Sequence, residues 1–479
     1  MGRPFYLTTT LPYVNADPHI GFALEIVQAD IIARYRALQG DEVFFSTGTD
    51  EHGLKIYRKA KEEGKDPQVY VDEYATKFRR LKEKLDLSPD LHFIRTTDSR
   101  HVQAAQELWH RCQANGDIYK KKYKGLYCVG DEAFIREADL VGGKCPSHPT
   151  MDPVEIEEEN YFFKLSAYQD KLLAYLGQKD VVAPEWRREE AIAFVKRGLE
   201  DFSISREKER MPWGVDVPGD DTQVMYVWFD ALTNYISTLG WPDDKEGFYK
   251  KFWEEGETLQ LAGKDQIRFQ SIMWQAMLMS AKLPTTKHIF YHGFITSGGQ
   301  KMSKSLGNVI DPLAIVDEYG TDALRYFLAR HTHPFDDSDF TMERFKDAYN
   351  ADLANGLGNL VARVMQLAER YLEHPIQKPN IDDVMPPPYL TYLQEFNFSR
   401  YAEFLWEDIQ RLDKRITDTE PFKVVRTDPE KGIELIAHQV NALYFVAHFL
   451  SPIMPETSKV LQNTILANKK PENLFPRKE

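Results

Sequence analysis

Several features that would point to other classes of protein are scarce or absent in this sequence. Only three cysteines occur in 479 residues, which are too few for a disulfide framework. No apolar run reaches the roughly 18 residues that a membrane-spanning helix needs. The first residues show no basic segment followed by an apolar one, as a secretory leader would. These absences predict a protein of a reducing compartment without a membrane partner, and we expect it in the cytoplasm.

Positive charge is also in short supply. The 60 lysines and arginines are outnumbered by 74 acidic residues, which gives a formal net charge of −14. Binding that coats nucleic acid without regard to sequence depends on many phosphate contacts from cations, so this class is excluded. A nucleic-acid partner would need a local patch. The run Lys120, Lys121, Lys122 and Lys124 is one candidate, although such a run is usually a solvated face.

The chain is long and apolar enough for several domains, since 42% of its residues are hydrophobic. Residues 5–10 favour a strand, residues 22–38 a helix and residues 41–47 a second strand, which is the order of a βαβ unit in a parallel sheet. Ligands of such sheets bind at the carboxyl ends of the strands. The opening segment therefore predicts an α/β protein with a site in the loops that follow these two strands.

The pattern changes further along the chain. Short β-rich pieces after residue 116 indicate an insertion, strand patterns return at 224–229 and 289–295, and only helical patterns remain beyond about residue 345. The predicted units are 1–115, the first half of the sheet domain; 116–205, the insertion; 206–344, the second half of the sheet domain; and 345–479, an all-α domain.

The segment Lys301-Met302-Ser303-Lys304-Ser305 carries the strongest chemical signal. It follows two glycines, and two lysines with two hydroxyls on such a loop can close over a polyphosphate and neutralise the charge that develops as pyrophosphate leaves. Lys301 and Lys304 are therefore predicted catalytic residues. The alternative is a solvated basic loop, which a second signal at the other end of the chain makes less plausible.

That second signal is His19-Ile20-Gly21-Phe22, between a predicted strand and a predicted helix. A histidine at a helix N-terminus can donate to phosphate oxygens together with the helix dipole, and a glycine there lets a nucleotide approach closely. His19 is therefore predicted to be catalytic. A lone histidine is more often structural, so this prediction depends on its pairing with the lysine segment.

Together the two segments resemble the nucleotide-binding signatures of class I aminoacyl-tRNA synthetases. The surrounding motifs resemble the methionyl-tRNA synthetases over essentially the whole chain: TTTLPYVNADPHIG, GTDEHG, CPSHPT, EENYFF, ISRE, YVWFDAL, GKD, HGFITSGGQKMSKSLGN, NADLANGLGNL and LSPIMPETS. The resemblance implies an α/β fold with a Rossmann-type parallel-sheet catalytic domain, an inserted zinc-knuckle connective domain and an all-α anticodon-binding bundle. It also implies activation of L-methionine by ATP and transfer to tRNA(Met), with Mg²⁺ accompanying the ATP phosphates.

The resemblance also assigns site residues. The soft, apolar thioether of methionine needs aromatic walls, and the ammonium group of methionine needs a carboxylate. The residues that the resemblance assigns supply both. For methionine the implied residues are Thr10, Leu11, Tyr13, Asp50, Arg206, Trp228, Leu232 and Tyr235, where the alternative for the aromatic members is ordinary core packing. For ATP they are His19, Gly21, Glu25, Gly263, Asp265 and Lys304.

Within the catalytic site, the sequence departs from the family at three positions. The nucleotide signature normally ends in a second histidine, and Phe22 cannot donate to a phosphate; the loss of one such donor typically costs about 3 to 4 kcal/mol. Asn15 is a candidate replacement donor. Gln266 and Gln270 stand where the family often places isoleucine and histidine beside the methionine side chain.

A metal knuckle is predicted from Cys128-x2-Asp131 and Cys145-x2-His148. Two thiolates, one carboxylate and one imidazole make a chemically sound tetrahedral zinc site. The alternative is a degenerate knuckle that is held by hydrogen bonds and packing without metal. Cys112 falls within a helical pattern and is predicted to be a buried apolar residue.

Asn359 and Arg363 lie four residues apart and share a helix face, as base-reading donors should. They match the anticodon-reading pair of the family. Phe422 stands where the family commonly stacks a tryptophan on the anticodon, and a phenyl ring can still stack on a base. Helix capping and core packing are the alternative reading of all three.

Other functions fit less well. Synthetases for isoleucine, valine or leucine would need a large editing insertion, and a cysteinyl enzyme lacks the LPYVN and VWFDAL context. A synthetase-like tRNA-binding protein with impaired catalysis is supported only by Phe22, because a binding-only protein would not need the methionine pocket around Asp50 and Trp228. No dimerising module follows the predicted helical domain, so we expect a monomer.

Overall fold

The computed structural model describes residues 2–129, 133–135, 137–146, 149, 151–302, 307–379, 381 and 386–479. Among these residues, none of the helices is both long enough and apolar enough to cross a membrane. The strands are β1 (Pro4–Thr8), β2 (Glu42–Thr49), β3 (Leu91–Arg95), β4 (Ile118–Cys128), β5 (Ala133–Ile135), β6 (Val154–Phe163), β7 (Val182–Ala183), β8 (Phe202–Ser203), β9 (Ser205–Glu207), β10 (Gln223–Met225), β11 (Glu257–Gly263), β12 (His288–His292), β13 (Ile295–Ser297), β14 (Gln300–Lys301) and β15 (Ser338–Phe340).

The helices alternate with the strands in the first part of the chain and stand alone in the last part, as the pattern predicts. Short π-helical segments also occur, at 249–255, 268–274 and 349–358. The α-helices are α1 (Ile20–Leu38), α2 (Leu54–Glu62), α3 (Pro67–Lys84), α4 (Ser99–Ala114), α5 (Gln169–Leu176), α6 (Glu185–Lys196), α7 (Val227–Leu232), α8 (Asn234–Ser237), α9 (Gln275–Ser280), α10 (Pro312–Tyr319), α11 (Thr321–Arg330), α12 (Met342–Ala348), α13 (Asn359–Tyr371), α14 (Pro387–Gln394), α15 (Phe398–Thr419), α16 (Pro421–Thr427), α17 (Pro429–Phe449) and α18 (Pro455–Leu466).

A six-stranded parallel sheet forms the centre, in the order β3-β2-β1-β11-β12-β7. Leu7 at its middle pairs with Phe45 on one side and Leu259 on the other, and all three are buried. Parallel sheets that are covered on both faces need such continuous apolar strands. The predicted Rossmann-type α/β core is confirmed, and so is the helical C-terminal region.

The prediction of a parallel strand at 224–229 is wrong. Only Gln223–Met225 is extended, it pairs antiparallel with β9, and Val227–Leu232 forms α7. A short apolar run does not distinguish a strand from a buried helical turn. The strand beside β1 in the parallel sheet is instead β11, for which the sequence pattern predicted no strand.

The inserted segment contains a four-stranded antiparallel sheet, in the order β5-β4-β6-β8. Its longest ladder places Lys122 opposite Glu159 and Lys124 opposite Glu157. Cross-strand pairs of opposite charge stabilise such ladders. The lysine run that was a candidate nucleic-acid patch therefore faces a row of acidic side chains, as a solvated structural face would.

A buried arginine joins the sheet domain to the C-terminal helices. Arg325 on α11 forms an ion pair with Asp30 of α1 at 2.7 Å. The same guanidinium donates to the carbonyl oxygens of Leu85 at 3.1 Å, Pro452 at 2.9 Å and Ile453 at 2.8 Å. Because every acceptor is fixed by packing, the helix that begins at His19 is held against both parts of the molecule.

Candidate active site at the carboxyl edge of the parallel sheet

The two signature segments meet at the carboxyl edge of the sheet, although about 280 residues separate them. The Ile20 N–H donates to the Ile310 carbonyl oxygen at 3.0 Å, just beyond the lysine segment. A Cβ atom added to Gly21 would lie 3.7 Å from the methyl carbon of Met302. The start of α1 therefore lies next to Met302 of the lysine segment and to Ile310 just beyond it. Lys304 lies outside the described residues.

His19 caps the N-terminus of α1. Its Nδ1 accepts from the Gly21 N–H at 3.0 Å, so in the neutral ring the proton is on Nε2. The side chain stays open to solvent, yet nearby protein atoms displace part of its hydration, which lowers the pKa of His19. At neutral pH the ring thus offers an N–H donor at a helix terminus that already attracts anions.

The lack of a side chain at Gly21 leaves room for the His19 ring. A Cβ atom at this position would come within 2.9 Å of His19 Cε1, closer than non-bonded carbon atoms approach. The glycine that was predicted to make room for a nucleotide therefore makes room for the capping imidazole in this structure.

Phe22 has an apolar environment. Its ring meets the Phe78 ring edge-on at a centroid distance of 5.3 Å. It also forms part of a cavity of about 220 Å³ between α1, α3, β2 and β3. An imidazole here would lose aromatic packing. The cavity is lined by Phe22, Ile26, Thr47, Phe78, Arg79, Lys82, Leu91 and Phe93.

The lysine segment begins on a tight hairpin. Thr296 pairs with Lys301 across a turn whose Gly298 and Gly299 have φ values of +60° and +73°. These conformations favour glycine. The Asp339 carboxylate fixes the turn by accepting from the Gly299 N–H at 2.7 Å and the Thr296 hydroxyl at 2.9 Å. The Lys301 side chain is exposed at the end of this hairpin.

Glu25, a predicted ATP residue, is buried and holds two partners. One carboxylate oxygen accepts from the Thr10 N–H at 2.7 Å, and the other lies 2.9 Å from His292 Nε2. The His292 Nδ1 faces the Gly293 carbonyl oxygen at 2.7 Å, so the doubly protonated ring fits best. Although burial alone would lower it, Glu25 raises the pKa of His292. Sequence reasoning missed His292, which ends β12 in the HGF motif.

The predicted ATP residues Gly263 and Asp265 lie together at the end of β11. A Cβ atom on Gly263 would come within 2.8 Å of the Asp265 carboxylate. Partial removal of water raises the pKa of Asp265, which still reaches solvent. The Lys264 ammonium group donates to the Asp337 carboxylate at 2.6 Å, whereas the Gln266 amide donates to the Asp265 carboxylate at 3.2 Å. Gln266 thus belongs to the Asp265 side of the site.

Asp50 is the predicted anchor for an ammonium group, and it is buried at the end of β2. Its N–H donates to the Pro12 carbonyl at 3.0 Å, and its own carbonyl accepts from Val14 at 3.2 Å. These bonds fix the loop that contains the half-buried Leu11 and Tyr13. The structure therefore brings three predicted methionine residues together, and Thr10 links them to Glu25.

Two residues of the predicted aromatic wall, Trp228 and Leu232, lie on α7, and Tyr235 lies on α8. Trp228 stacks on Phe269 with ring centroids 3.8 Å apart. Tyr235 is buried, and its hydroxyl accepts from Gln270 at 2.5 Å. Leu232 is buried on α7 between these aromatic residues in the sequence. Gln270, whose role the sequence left open, is therefore a partner of the predicted pocket residue Tyr235.

Arg206 is buried at the start of this wall. It donates to the Ser203 hydroxyl at 2.9 Å and the Ser205 carbonyl at 2.7 Å. Its guanidinium lies 4.4 Å from the centroid of the Tyr226 ring, the residue before α7. A cation over an aromatic face is favourable, and it fixes the approach to Trp228.

Two buried clusters beside Asp50 were not predicted. Glu51 accepts from Arg95 Nε at 2.7 Å, from Arg95 Nη2 at 2.8 Å and from the Thr49 hydroxyl at 2.6 Å. Asp230 of α7 is bonded to the next residue of the loop, His52, at 2.6 Å. Acidic and histidine residues directly after Asp50 in GTDEHG were the available signal.

The predicted metal ligands are only partly described. Cys128 ends β4 and Cys145 follows a turn at Gly142 and Gly143, and both thiols are buried. Asp131 and His148 lie outside the described residues. Within the described ranges, no group of three or more histidine, cysteine or acidic side chains is arranged for a metal ion. Cys112 is buried in α4, as predicted.

The predicted anticodon residues lie on the C-terminal helices α13 and α16. Asn359 begins α13, and Arg363 one turn later pairs with Asp413 at 2.5 Å. Arg363 and Phe422 border the same open groove of about 200 Å³. The groove is lined by Arg363, Gln366, Leu367, Arg370, Tyr371, Ile416, Phe422 and Arg426.

Comparison with known proteins gives consistent results. A family model described as tRNA synthetases class I (M) matches residues 5–152 and 149–365. The methionine–tRNA ligase of Brucella suis biovar 1 is 46% identical over 474 residues, 95% of this chain and 90% of that protein. The methionine–tRNA ligase of Caldanaerobacter subterraneus subsp. tengcongensis is 41% identical over 474 residues, 96% of this chain and 73% of that protein.

A solved structure is similar over the same length. Mycobacterium tuberculosis methionyl-tRNA synthetase in complex with methionyl-adenylate has a TM-score of 0.89 at 35% sequence identity, and the match covers 99% of this chain and 100% of that one. The similarity therefore includes the parallel sheet, the insertion and the helical region.

Proposed function

As a member of the class I methionyl-tRNA synthetases, this chain is an ATP-dependent methionine–tRNA ligase, and we propose how its residues carry out the reaction. The methionine carboxylate attacks the α-phosphate of ATP, which forms methionyl-adenylate and releases diphosphate. A hydroxyl of the terminal ribose of tRNA(Met) then takes the methionyl group and releases AMP. No protein nucleophile is needed, because positioning and charge stabilisation suffice.

His19, Lys301 and Lys304 are the proposed catalytic residues on the phosphate side. The neutral His19 ring keeps an N–H for a phosphate oxygen, and Lys301 supplies a cation from an exposed hairpin end. Mg²⁺ would accompany the ATP phosphates, since it usually binds through them. The proposed ATP-binding residues are His19, Gly21, Glu25, Gly263, Asp265 and Lys304.

Methionine would bind with its ammonium group at Asp50 and its thioether against the aromatic wall. Contacts between sulfur and aromatic rings contribute about 0.3 to 1.5 kcal/mol each, so several rings are needed for useful affinity. The proposed methionine-binding residues are Thr10, Leu11, Tyr13, Asp50, Arg206, Trp228, Leu232 and Tyr235.

The tRNA anticodon would bind in the groove beside α13. Arg363 and Arg370 give the groove positive charge, and the half-buried Phe422 ring offers a stacking face. Stacking of a base on an aromatic ring contributes roughly 1 to 3 kcal/mol. Asn359, Arg363 and Phe422 are the proposed anticodon-binding residues.

Zinc is the proposed structural metal of the insertion, with Cys128, Asp131, Cys145 and His148 as ligands. Two buried thiols support this, that of Cys128 at the end of β4 and that of Cys145 after a two-glycine turn, since thiolates are common ligands of structural zinc. Metal content of the purified intact protein and of Cys128→Ser, measured by mass spectrometry, tests it. About one zinc per chain that is lost in the variant is expected, and a metal-free intact protein would exclude the proposal.

The units 1–115, 116–205, 206–344 and 345–479 are the proposed division of the chain, and a monomer is the proposed assembly. Arg325 joins α1 to the turn before α18, so it holds the first and the last unit together within the chain. Light scattering during gel filtration should give the mass of a single chain.

The meeting of the two signatures, through Ile20, Ile310, Gly21 and Met302, carries the proposal for the active site. Methionine-dependent exchange of labelled pyrophosphate into ATP tests it, with leucine and isoleucine as controls. We expect exchange with methionine alone. A binding protein that has lost its chemistry, the alternative raised by Phe22, would show no exchange, and exchange restored only by Phe22→His would favour that alternative.

A further inference from the structure

Asp230 is a fully buried carboxylate with two histidine partners. One oxygen lies 2.6 Å from His52 Nδ1 and the other 2.8 Å from His101 Nε2. The hydrogen bonds continue from His101 to Ser237, whose hydroxyl lies 2.9 Å from His101 Nδ1. Although burial alone would raise it, the two histidines lower the pKa of Asp230 to about 2. A buried carboxylate stays ionised only when it is paired in this way.

These partners come from different elements of the fold. His52 lies two residues after Asp50 in the loop that follows β2, whereas His101 is on α4. Asp230 itself is on α7, midway between Trp228 and Leu232. The carboxylate therefore ties the loop that carries Asp50 to the helix that carries the apolar wall.

The tie matters because the two ends of the amino acid bind to different elements. In the proposed function Asp50 holds the ammonium group and α7 holds the thioether. The distance between the two determines the length of side chain that fits, and a binding site typically distinguishes a single methylene by only about 10- to 200-fold. A small shift of α7 against the loop would therefore change the preference between amino acids of different length.

We propose that Asp230 is a positioning residue that sets the distance between Asp50 and the Trp228–Leu232 wall, and so selects an unbranched thioether amino acid of methionine's length. This inference rests on the proposed function. The Trp213 indole also holds the loop that carries Asp50, since its N–H donates to the Glu51 carbonyl at 2.6 Å. This bond is independent of Asp230 and its two histidines.

Asp230→Asn tests this proposal. The amide keeps the size of the side chain, but its NH₂ group cannot accept from the second histidine. In pyrophosphate exchange we expect the KM for methionine to rise about tenfold, the change that the loss of one hydrogen bond to a charged group produces. The preference for methionine over ethionine, which is one methylene longer, should fall severalfold, and the KM for ATP should stay unchanged.

Two further variants separate positioning from stability. Asp322→Asn changes another buried carboxylate, one that caps the backbone N–H of Thr457 far from the pocket, and it should lower stability without changing the preference. His52→Gln removes the tie from the loop side and should shift the same two parameters as Asp230→Asn.

A loss of thermal stability in Asp230→Asn with an unchanged methionine KM and an unchanged ethionine preference would overturn the inference. Equal changes of preference in Asp322→Asn would overturn it as well. Failure of the proposed function would look different, because the intact protein would then show no methionine-dependent exchange.

Discussion

The methionine side and the phosphate side of the site are built in opposite ways. On the methionine side Glu51, His52 and Asp230 are buried and hydrogen-bonded to fixed partners. On the phosphate side His19 and Lys301 are exposed at a helix end and a hairpin end. In the proposed function the amino acid would therefore meet a preorganised pocket, whereas the cations for the phosphates would keep their hydration until a ligand arrives.

Removal of the ammonium anchor should have the largest effect. Asp50→Ala is expected to lower kcat/KM for methionine in pyrophosphate exchange by about 100-fold or more, because the substrate cation would enter a buried site without its counter-charge. Asp17→Ala, which removes an exposed carboxylate that pairs with Lys77 from the loop between β1 and α1, should leave exchange unchanged. A methionine KM that is the same in both variants would contradict the assignment of Asp50.

The rigidity of the methionine side can be tested through Arg95. Arg95→Met would leave the Glu51 carboxylate buried without its cation, which typically costs about 3 to 5 kcal/mol. Urea denaturation should show a loss of this size, and Arg79→Met, which changes an exposed arginine over the Phe93 ring, should show little. A loss below about 1 kcal/mol in Arg95→Met would mean that the cluster behaves as a surface pair.

On the phosphate side, Lys301→Ala should lower kcat of exchange by about 10- to 100-fold, since one cation would be missing when charge develops on the leaving diphosphate. The methionine KM should not change, because Lys301 lies on the other side of the site. Lys245→Ala, at a strongly exposed position, is the control. A raised methionine KM in Lys301→Ala would show that the two sides are not independent.

The distant groove should affect only the second step. Arg363→Ala is expected to raise the KM for tRNA about tenfold in charging assays and to leave pyrophosphate exchange unchanged. Asp413→Ala frees Arg363 from its ion pair, so it should not raise the tRNA KM. Equal weakening of charging in both variants would show that charging depends on the ion pair between Arg363 and Asp413. It would contradict a direct contact of Arg363 with the anticodon.

The smallest effect concerns pH. Because the pKa of His292 is raised in the folded protein, its contribution to stability is present below the ordinary value of about 6.5 and is lost as the pH rises through the raised value. The difference in unfolding free energy between the intact protein and His292→Gln should therefore shrink from pH 6 towards pH 8. A difference that grows over this range would contradict the ion pair with Glu25.

The residues of the proposed phosphate side belong to local structures that a short stretch of sequence can indicate. His19, Gly21 and the lysine segment act through local devices, a helix end and a glycine turn, which short motifs encode. The parallel order of the sheet also follows from alternating strand and helix patterns. The segment at 224–229 misleads because its apolar run fits a strand or a buried helix equally well.

The buried clusters could not be predicted in the same way. The pairs of His52 with Asp230 and of Glu25 with His292 join residues that are 178 and 267 positions apart. Only the packed fold shows which distant carboxylate a histidine meets, and therefore which direction its pKa moves. The environment of Phe22 is of the same kind, since Phe78 comes from α3.

Calorimetric titration of methionine in the absence of ATP tests the difference between the two sides most directly, with the intact protein, Asp230→Asn and Lys301→Ala compared. A preorganised methionine pocket predicts that Lys301→Ala binds methionine as tightly as the intact protein and that Asp230→Asn binds it about tenfold more weakly. Equal weakening in both variants, or binding only when ATP is present, would contradict it.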